Sequence, residues 1–482
     1  MMRASYWHRK NMDGPFTTGS VSQRSKGVLA VRNINPSLLV ISIAMAPLAM
    51  AQTKPPEADS SLTFHGITIY GIVDLGLQYE THGATYSDFF PAGGNGLLQK
   101  NSNKSVIGIT PNNFSQSRVG LQGKEPLLGD WSAVFRLETY FNPQSGNLSD
   151  ALKSLTLNNG KPPAAQSTGV DSSVAGQPFQ ISYVGVSSPR FGTLTFGRQL
   201  ALMGDGIGKY DPIATSQAFS VIGYSGAAAG AGDTEDRRYD QSVKYLYTMG
   251  SYRAALQYKF NGSTGAAATA FEAQLGADFG PLAVDGFYAK VRDAVSAGSL
   301  NATQVAALPT LGYSSSNSVT GTISDNTAFS VMGSYTLPHA TLYGGYEHIR
   351  FANPATPLPA GYSDEGGYIL AFVNNTAYTH NKNMQIYWTG VKYTVKTVDL
   401  YAAYYGYHQA AYAAGDLAGC SSTASAACSG ELTAFSFAAD WRLSKRFDVY
   451  LGAMYSGVSG GLANGYIVRS SIDPTLGGRF KF

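Results

Sequence analysis

The chain has 482 residues, of which only 13% are charged and 12% aromatic, with 55 Gly, 31 Tyr and a mean hydropathy close to neutral. A transmembrane helix needs about 20 consecutive apolar residues, and no such run occurs after residue 60, which excludes helical spanning there. Low charge with many aromatics and glycines points instead to β-structure with much of its surface against a non-aqueous medium.

The first segment in chain order is an address. Lys26 to Arg32 is basic, Leu38 to Ala46 is a short apolar run, and Ala49-Met50-Ala51 is a small-x-small cleavage signal before Gln52. Residues 1–51 therefore read as a secretory signal peptide with an unusually long N-region, the apolar run being too short for a spanning anchor. Six of the 34 basic residues and one of the 31 acidic ones fall within it, which leaves 28 against 30 in the mature region. No basic patch remains that would indicate nucleic acid.

Amphipathic stretches of period two then follow. In Ile67 to Tyr79, Ile67, Ile69, Val73, Leu75, Leu77 and Tyr79 share one face and Thr68, Tyr70, Asp74 and Gln78 the other. Val119 and Leu121 oppose Gln116, Arg118, Gln122 and Lys124; after a short turn, Trp131, Ala133, Phe135, Leu137 and Phe141 oppose Ser132, Arg136, Glu138 and Asn142. Further strands are expected near 179–187, 191–199, 241–249, 251–260, 268–279, 282–292, 326–337, 340–350, 383–396 and 397–407. Near the end, Phe435, Phe437, Ala439 and Trp441 oppose Ser436, Asp440 and Arg442. Phe447, Val449, Leu451, Ala453 and Tyr455 likewise oppose Asp448 and Tyr450. The last strand, 472–482, has Leu476, Phe480 and Phe482 on one face and Thr475, Arg479 and Lys481 on the other.

These are about sixteen strands, joined by tight turns at 126–130, 188–191, 249–251, 337–340 and 443–446 and by long Gly/Ser/Asn/Ala-rich loops near 82–113, 143–177, 200–240, 292–325, 351–382 and 408–431. Segregation of short turns from long loops is the habit of an outer-membrane up-and-down barrel, and closure satisfies every backbone group in lipid. Arg118, Arg136, Glu138, Asp440, Arg442 and Arg479 lie on the polar faces. An Arg facing lipid at mid-bilayer costs about 2–4 kcal/mol, so the polar faces must line water, and about sixteen strands leave an aqueous channel. The expected fold is all-β: a transmembrane antiparallel barrel over 52–482, with outer-membrane lipid as its outer solvent.

Across nearly all of the mature region the chain resembles the general-diffusion porins of Gram-negative bacteria, in particular those of Burkholderia-like proteobacteria. The landmarks are Ile69-Tyr-Gly-Ile-Val-Asp74, Ser117-Arg-Val-Gly-Leu-Gln-Gly-Lys-Glu125, Tyr183-Val-Gly-Val, Phe191-Gly-Thr-Leu-Thr-Phe-Gly-Arg-Gln199, Ser242-Val-Lys-Tyr245, Tyr346-Glu-His-Ile-Arg-Phe-Ala-Asn-Pro354, Leu443-Ser-Lys-Arg-Phe-Asp-Val-Tyr450, Val458-Ser-Gly-Gly-Leu-Ala-Asn-Gly465 and the terminal Phe482. The resemblance implies a homotrimer of water-filled pores for passive diffusion of ions and small hydrophilic solutes, with the third long loop, 200–240, folded inward as the constriction element. It implies a basic wall of Arg118 and Arg238, joined by Arg136, against the acidic residues Glu138, Asp205, Asp211, Asp233, Glu235 and Asp236. Gln180 stands where an arginine is expected, which thins that wall and, with a net acidic loop, leads us to expect mild cation preference. The aromatic terminus Phe482 looks like the signal read by the outer-membrane assembly machinery.

Two alternatives compete with general diffusion. A substrate-specific channel for sugars or organic acids would line its path with aromatic tracks, but Tyr70, Tyr140 and Tyr450 are scattered. An outer-membrane enzyme finds only Gly457-Val-Ser-Gly-Gly461, a G-x-S-x-G pattern expected in a loop, without the strand–turn–helix context that motif needs. The seven histidines show no metal-ligand spacing, and Gly230-Ala-Gly232 is followed by no Lys-Ser/Thr, so no metal, cofactor or phosphate cradle is expected. The two cysteines, Cys420 and Cys428, sit close together in one loop of an exported chain and read as a disulfide.

Overall fold

Alternating strands that must satisfy every backbone group without water can do so only by pairing until the sheet meets itself, and this sheet does. A computed structural model describes residues 62–89, 104–169, 176–223, 238–262, 268–412 and 425–482. The expected signal peptide lies outside the described residues, as do Asp233, Glu235, Asp236 and Cys420. The described chain forms a closed 16-strand antiparallel barrel.

In chain order the wall strands are β1 (Ile67–Gly83), β2 in two pieces (Lys104–Pro111 and Arg118–Pro126), β3 (Ser132–Tyr140), β4 (Ile181–Ser188), β5 (Gly192–Leu200), β6 (Arg238–Met249), β7 (Tyr252–Lys259) and β8 (Ala270–Phe279). They continue as β9 (Leu282–Gly298), β10 (Ser318–Thr336), β11 (Ala340–Ala352), β12 (Lys382–Val395), β13 (Val398–Gln409), β14 (Gly430–Arg442), β15 (Phe447–Gly460) and β16 (Ser470–Lys481). Each strand pairs with its neighbour in sequence. The ring closes where β1 pairs with β16, from Ile72 opposite Lys481 to Gln78 opposite Thr475. Phe482 extends the seam, its N–H donating to the Gly71 carbonyl at 3.1 Å and its own carbonyl accepting from Gly71 at 2.8 Å.

The two faces of the wall separate as the alternation requires. Ile69, Leu77, Leu121, Phe437, Leu451 and Leu476 are exposed outward, whereas Asp74, Gln78, Glu138, Asp440, Asp448 and Arg479 are buried within. The strand positions agree with the sequence, but some connections do not. The stretch 82–113 is not all loop: Lys104–Pro111 pairs with the upper half of β1, with Ile107 and Ile109 outward and Thr110 inward. That alternation is short and surrounded by Gly, Asn and Ser, which hides it. Likewise β9 and β10 run beyond 292 and before 325. The loop 351–382 holds a hairpin, Tyr362–Glu365 with Tyr368–Asn374. Gly457 and Ser459 lie on β15, with Ser459 opposite Glu431, and not in a loop.

Among the described residues, three α-helices occur in the connections: α1 (Ala151–Leu157), α2 (Leu202–Tyr210) and α3 (Ala302–Leu311). Helix α2 opens the third long loop, and the described part of that loop, to Gly223, lies against inward-facing side chains. Leu202, Met203, Ile207, Tyr210, Ile213, Phe219 and Ile222 are fully buried in one cluster with Phe287, Met332, Ile349, Ile386, Trp388, Tyr405, Tyr450 and Met454 of β9 to β15. A polar lumen was the expectation for every inner face. Where these strands meet the loop, their inner faces carry apolar side chains, because there they touch the loop and not water.

Candidate functional site

The site is assembled from two sets of side chains, those on the wall of β2 to β6 and those on the third loop, which packs on β9 to β15. On the wall, Glu138 of β3 is only 1% exposed. Its Oε2 accepts Arg136 Nη2 at 2.7 Å and the Tyr70 hydroxyl at 2.8 Å, and Arg118 Nε stands 3.6 Å away. Arg136 Nε also donates to the Tyr70 hydroxyl at 2.7 Å. Tyr70 can reach across because Gly120 lies beneath its ring: a Cβ there would meet Tyr70 Cζ at 2.3 Å. The strand register that places Gly120 opposite Glu138, and Arg118 opposite Tyr140, therefore brings together the three residues that the sequence singled out. The Arg118 and Arg136 side chains each keep 30% exposure, so two guanidiniums share one carboxylate and still present surface to the interior.

Arg238, at the start of β6, stacks over the Tyr140 ring with its Cζ 4.8 Å from the centroid. It is 6% exposed, far less open than the other two. Gln180, where an arginine was expected, is backed by Arg198, whose Nη2 donates to Gln180 Oε1 at 3.2 Å and whose Nη1 pairs with Asp240. Alternation along β5 puts Arg198 with Leu194 and Phe196 on the lipid side. The pairing keeps it on that parity, opposite Ser182 and in line with the Val184/Phe196 pair, and its partner Asp240 is an exposed residue at the start of β6; a β-bulge lies between Gly197 and Gln199, with Gly197 at φ 134°.

On the loop side, both ends of α2 are tied to the wall. The Met203 N–H donates to Glu272 Oε2 at 3.1 Å, where helix N-termini favour a carboxylate. The Tyr210 carbonyl at the other end accepts from Trp388 Nε1 at 3.1 Å. The Tyr210 hydroxyl donates to Asp285 Oδ2 at 2.5 Å, and Arg253 grips the same carboxylate from Nε and Nη2 at 2.7 Å each. Asp205 projects from α2 and pairs with Lys244 of β6, its side chain 45% exposed, while Lys209 reaches Asp285 at 3.3 Å with 44% exposure.

Asp211 does not stand with these lumenal charges. It is 2% exposed and serves as a knot: Oδ1 accepts the Tyr405 hydroxyl at 2.8 Å and Oδ2 the Thr215 N–H at 2.6 Å. Burial raises its carboxyl above the ordinary range despite these donors. The buried acid sits where the loop leaves α2, so position in a loop was a poor guide to exposure. Cys428 is also buried. Among the described residues, no group of three or more His, Cys, Asp or Glu is placed to hold a metal ion.

Comparison with known proteins agrees with this architecture. The chain is 27% identical to an outer membrane porin protein of Bordetella pertussis over 197 residues, which is 40% of this chain and 43% of that protein, so the match spans less than half of the relative. Among solved structures, an anion-selective porin from Comamonas acidovorans superposes with a TM-score of 0.55 at 18% identity, covering 86% of this chain and 99% of that one. OmpT of Vibrio cholerae superposes with a TM-score of 0.51 at 16% identity (87% and 99%), and the channel DcaP of Acinetobacter baumannii with 0.51 at 11% (86% and 97%). These likenesses show the fold. A model of the Gram-negative porin family matches residues 37–461, and with a closed barrel whose charges face inward, the chain belongs to that family of outer-membrane proteins.

Proposed function

We propose that this barrel is a water-filled channel for passive diffusion of ions and small hydrophilic solutes, with the segment 200–240 as its constriction. One observation carries the reading: Arg118, Arg136, Asp205 and Lys209 lie inside the barrel yet keep 30% to 45% of their side-chain surface open. Charges held on two facing surfaces around a narrow aqueous gap set a transverse field and an ion preference. Solutes then need only be small and polar, and no bond is made or broken.

The direction of that preference follows from the pairing. Glu138 neutralises one of Arg118 and Arg136 and leaves the other in excess. An excess guanidinium on this wall supports a preference for anions in place of the mild cation preference expected above. Asp233, Glu235 and Asp236 belong to the same loop and lie outside the described residues.

A homotrimer is the proposed assembly, supported by family membership and by the likeness to an OmpT structure of Vibrio cholerae in its trimer form. Phe482 at the seam is proposed as the element read by the assembly machinery, and Cys420 with Cys428 as a loop disulfide, supported by the bonded state of Cys428. Planar-bilayer recording tests the channel. Stepwise salt conductance is expected, with a reversal potential of anion-selective sign in a salt gradient; a reconstituted barrel that passes no current would refute the channel.

A further inference from the structure

The second long connection, between β3 and β4, does not stay over its own strands. It docks on the tops of β9 and β10 and on the hairpin Tyr362–Glu365/Tyr368–Asn374, which rises between β11 and β12. Leu152 and Leu155 of α1 are buried with Val319, Ile323 and Leu370 in an apolar cluster of their own. Asn159 fastens the same segment: its Oδ1 accepts the Leu300 N–H at 2.8 Å, and its Nδ2 donates to the carbonyls of Ser318 at 2.7 Å and Ser315 at 2.8 Å. The Ser299 hydroxyl donates to the Leu155 carbonyl at 2.8 Å, and the Gly160 N–H to the Leu300 carbonyl at 2.9 Å.

The hairpin is fixed in turn. Its second strand adds in parallel to the top of β10, from Ser318 opposite Ile369 to Thr322 opposite Asn374. Asp150 caps α1 by accepting the Lys153 N–H at 2.9 Å, and it also accepts the Tyr368 hydroxyl at 2.7 Å. At its tip, the Gly366 carbonyl accepts Gln177 Nε2 at 3.0 Å as the second connection returns towards β4. Between this tip and the tops of β5 to β7 lies a cavity of about 390 Å³, lined by Leu152, Arg198, Asp240, Lys259, Asp364 and Glu365. Connections from distant parts of the ring therefore meet above the wall and are held by an apolar cluster as well as by hydrogen bonds.

We propose that this fastened roof, formed by residues 150–160 of the second connection and the hairpin, sets the upper size limit for solutes entering the channel, ahead of the constriction. Leu152, Leu155 and Asn159 are its specificity-determining residues. The inference rests on the channel reading. A free loop would sweep aside for a bulky solute at little cost, whereas a roof with a dry core must break that core first.

The test uses the mature chain reconstituted in liposomes, with swelling rates measured for neutral sugars of increasing size and with single-channel conductance in salt. Leu152→Asp/Leu155→Asp removes the apolar fastening, and Asn159→Ala removes the polar one with little chance of misfolding; heat-modifiable mobility in gels verifies a closed barrel. Loosening the roof is expected to raise its open population by about tenfold or more. Flux of the largest sugars should then rise severalfold in the double variant and less in Asn159→Ala, while the smallest sugar changes by less than about twofold. A conducting wild type whose size limit is the same in both variants would overturn the roof alone. A wild type that conducts no salt would overturn the channel reading and the roof with it.

Discussion

The indole of Trp388 donates to the main-chain carbonyl of Tyr210 at 3.1 Å and closes the C-terminal end of the helix that opens the third loop. A carbonyl at that position has no partner within the helix, so the wall supplies one. Trp388→Phe keeps the buried ring but removes this bond, at a local cost of about 1 kcal/mol. The barrel should remain folded and heat-modifiable, and open-channel current noise should increase. A current trace as quiet as the wild type would show that the bond does not hold the loop.

Glu138 stands between two guanidiniums, so its charge is the one to remove. Glu138→Gln should move the reversal potential further in the anion direction, and Arg118→Ala or Arg238→Ala should move it towards cations. One unit charge at contact distance in water is worth about 1 kcal/mol, or about a fivefold change in permeability ratio. Arg238 is the more deeply buried of the two arginines, so its replacement is expected to have the smaller effect.

Asp211 provides a pH signature. Its carboxyl titrates above the ordinary range because it is buried, so the folded loop favours the protonated form. Its contribution to holding the loop is complete below the ordinary carboxylate range and is lost as pH rises through the raised value. Channel noise should therefore grow as pH is raised across that window, and Asp211→Asn should abolish that component. Recordings of both proteins over a pH series measure it directly.

Removing Phe482 takes away the two backbone bonds to Gly71 that extend the seam. If the residue is read by the assembly machinery, its deletion should lower the yield of folded barrel in cells by more than it lowers refolding into detergent micelles. Equal losses in the two settings would assign the residue to the seam alone.

The order and number of the wall strands, and which side of each meets lipid, were legible in the residues, because a period of two and the cost of a charge in hydrocarbon act on each strand separately. Arg118, Arg136 and Glu138 were legible for the same reason, since alternation sends them all inward and register does the rest. The tie of Arg198 to Asp240 and Gln180 was not, because alternation assigns a face and not a partner. The apolar inner faces of β12 and β13, with Ile386, Trp388 and Tyr405, and the burial of Asp211 were not legible either. The composition of a strand says that it has two faces. What each face touches is decided when distant segments fold over one another, as the third loop does on the inner wall and the second does at the mouth.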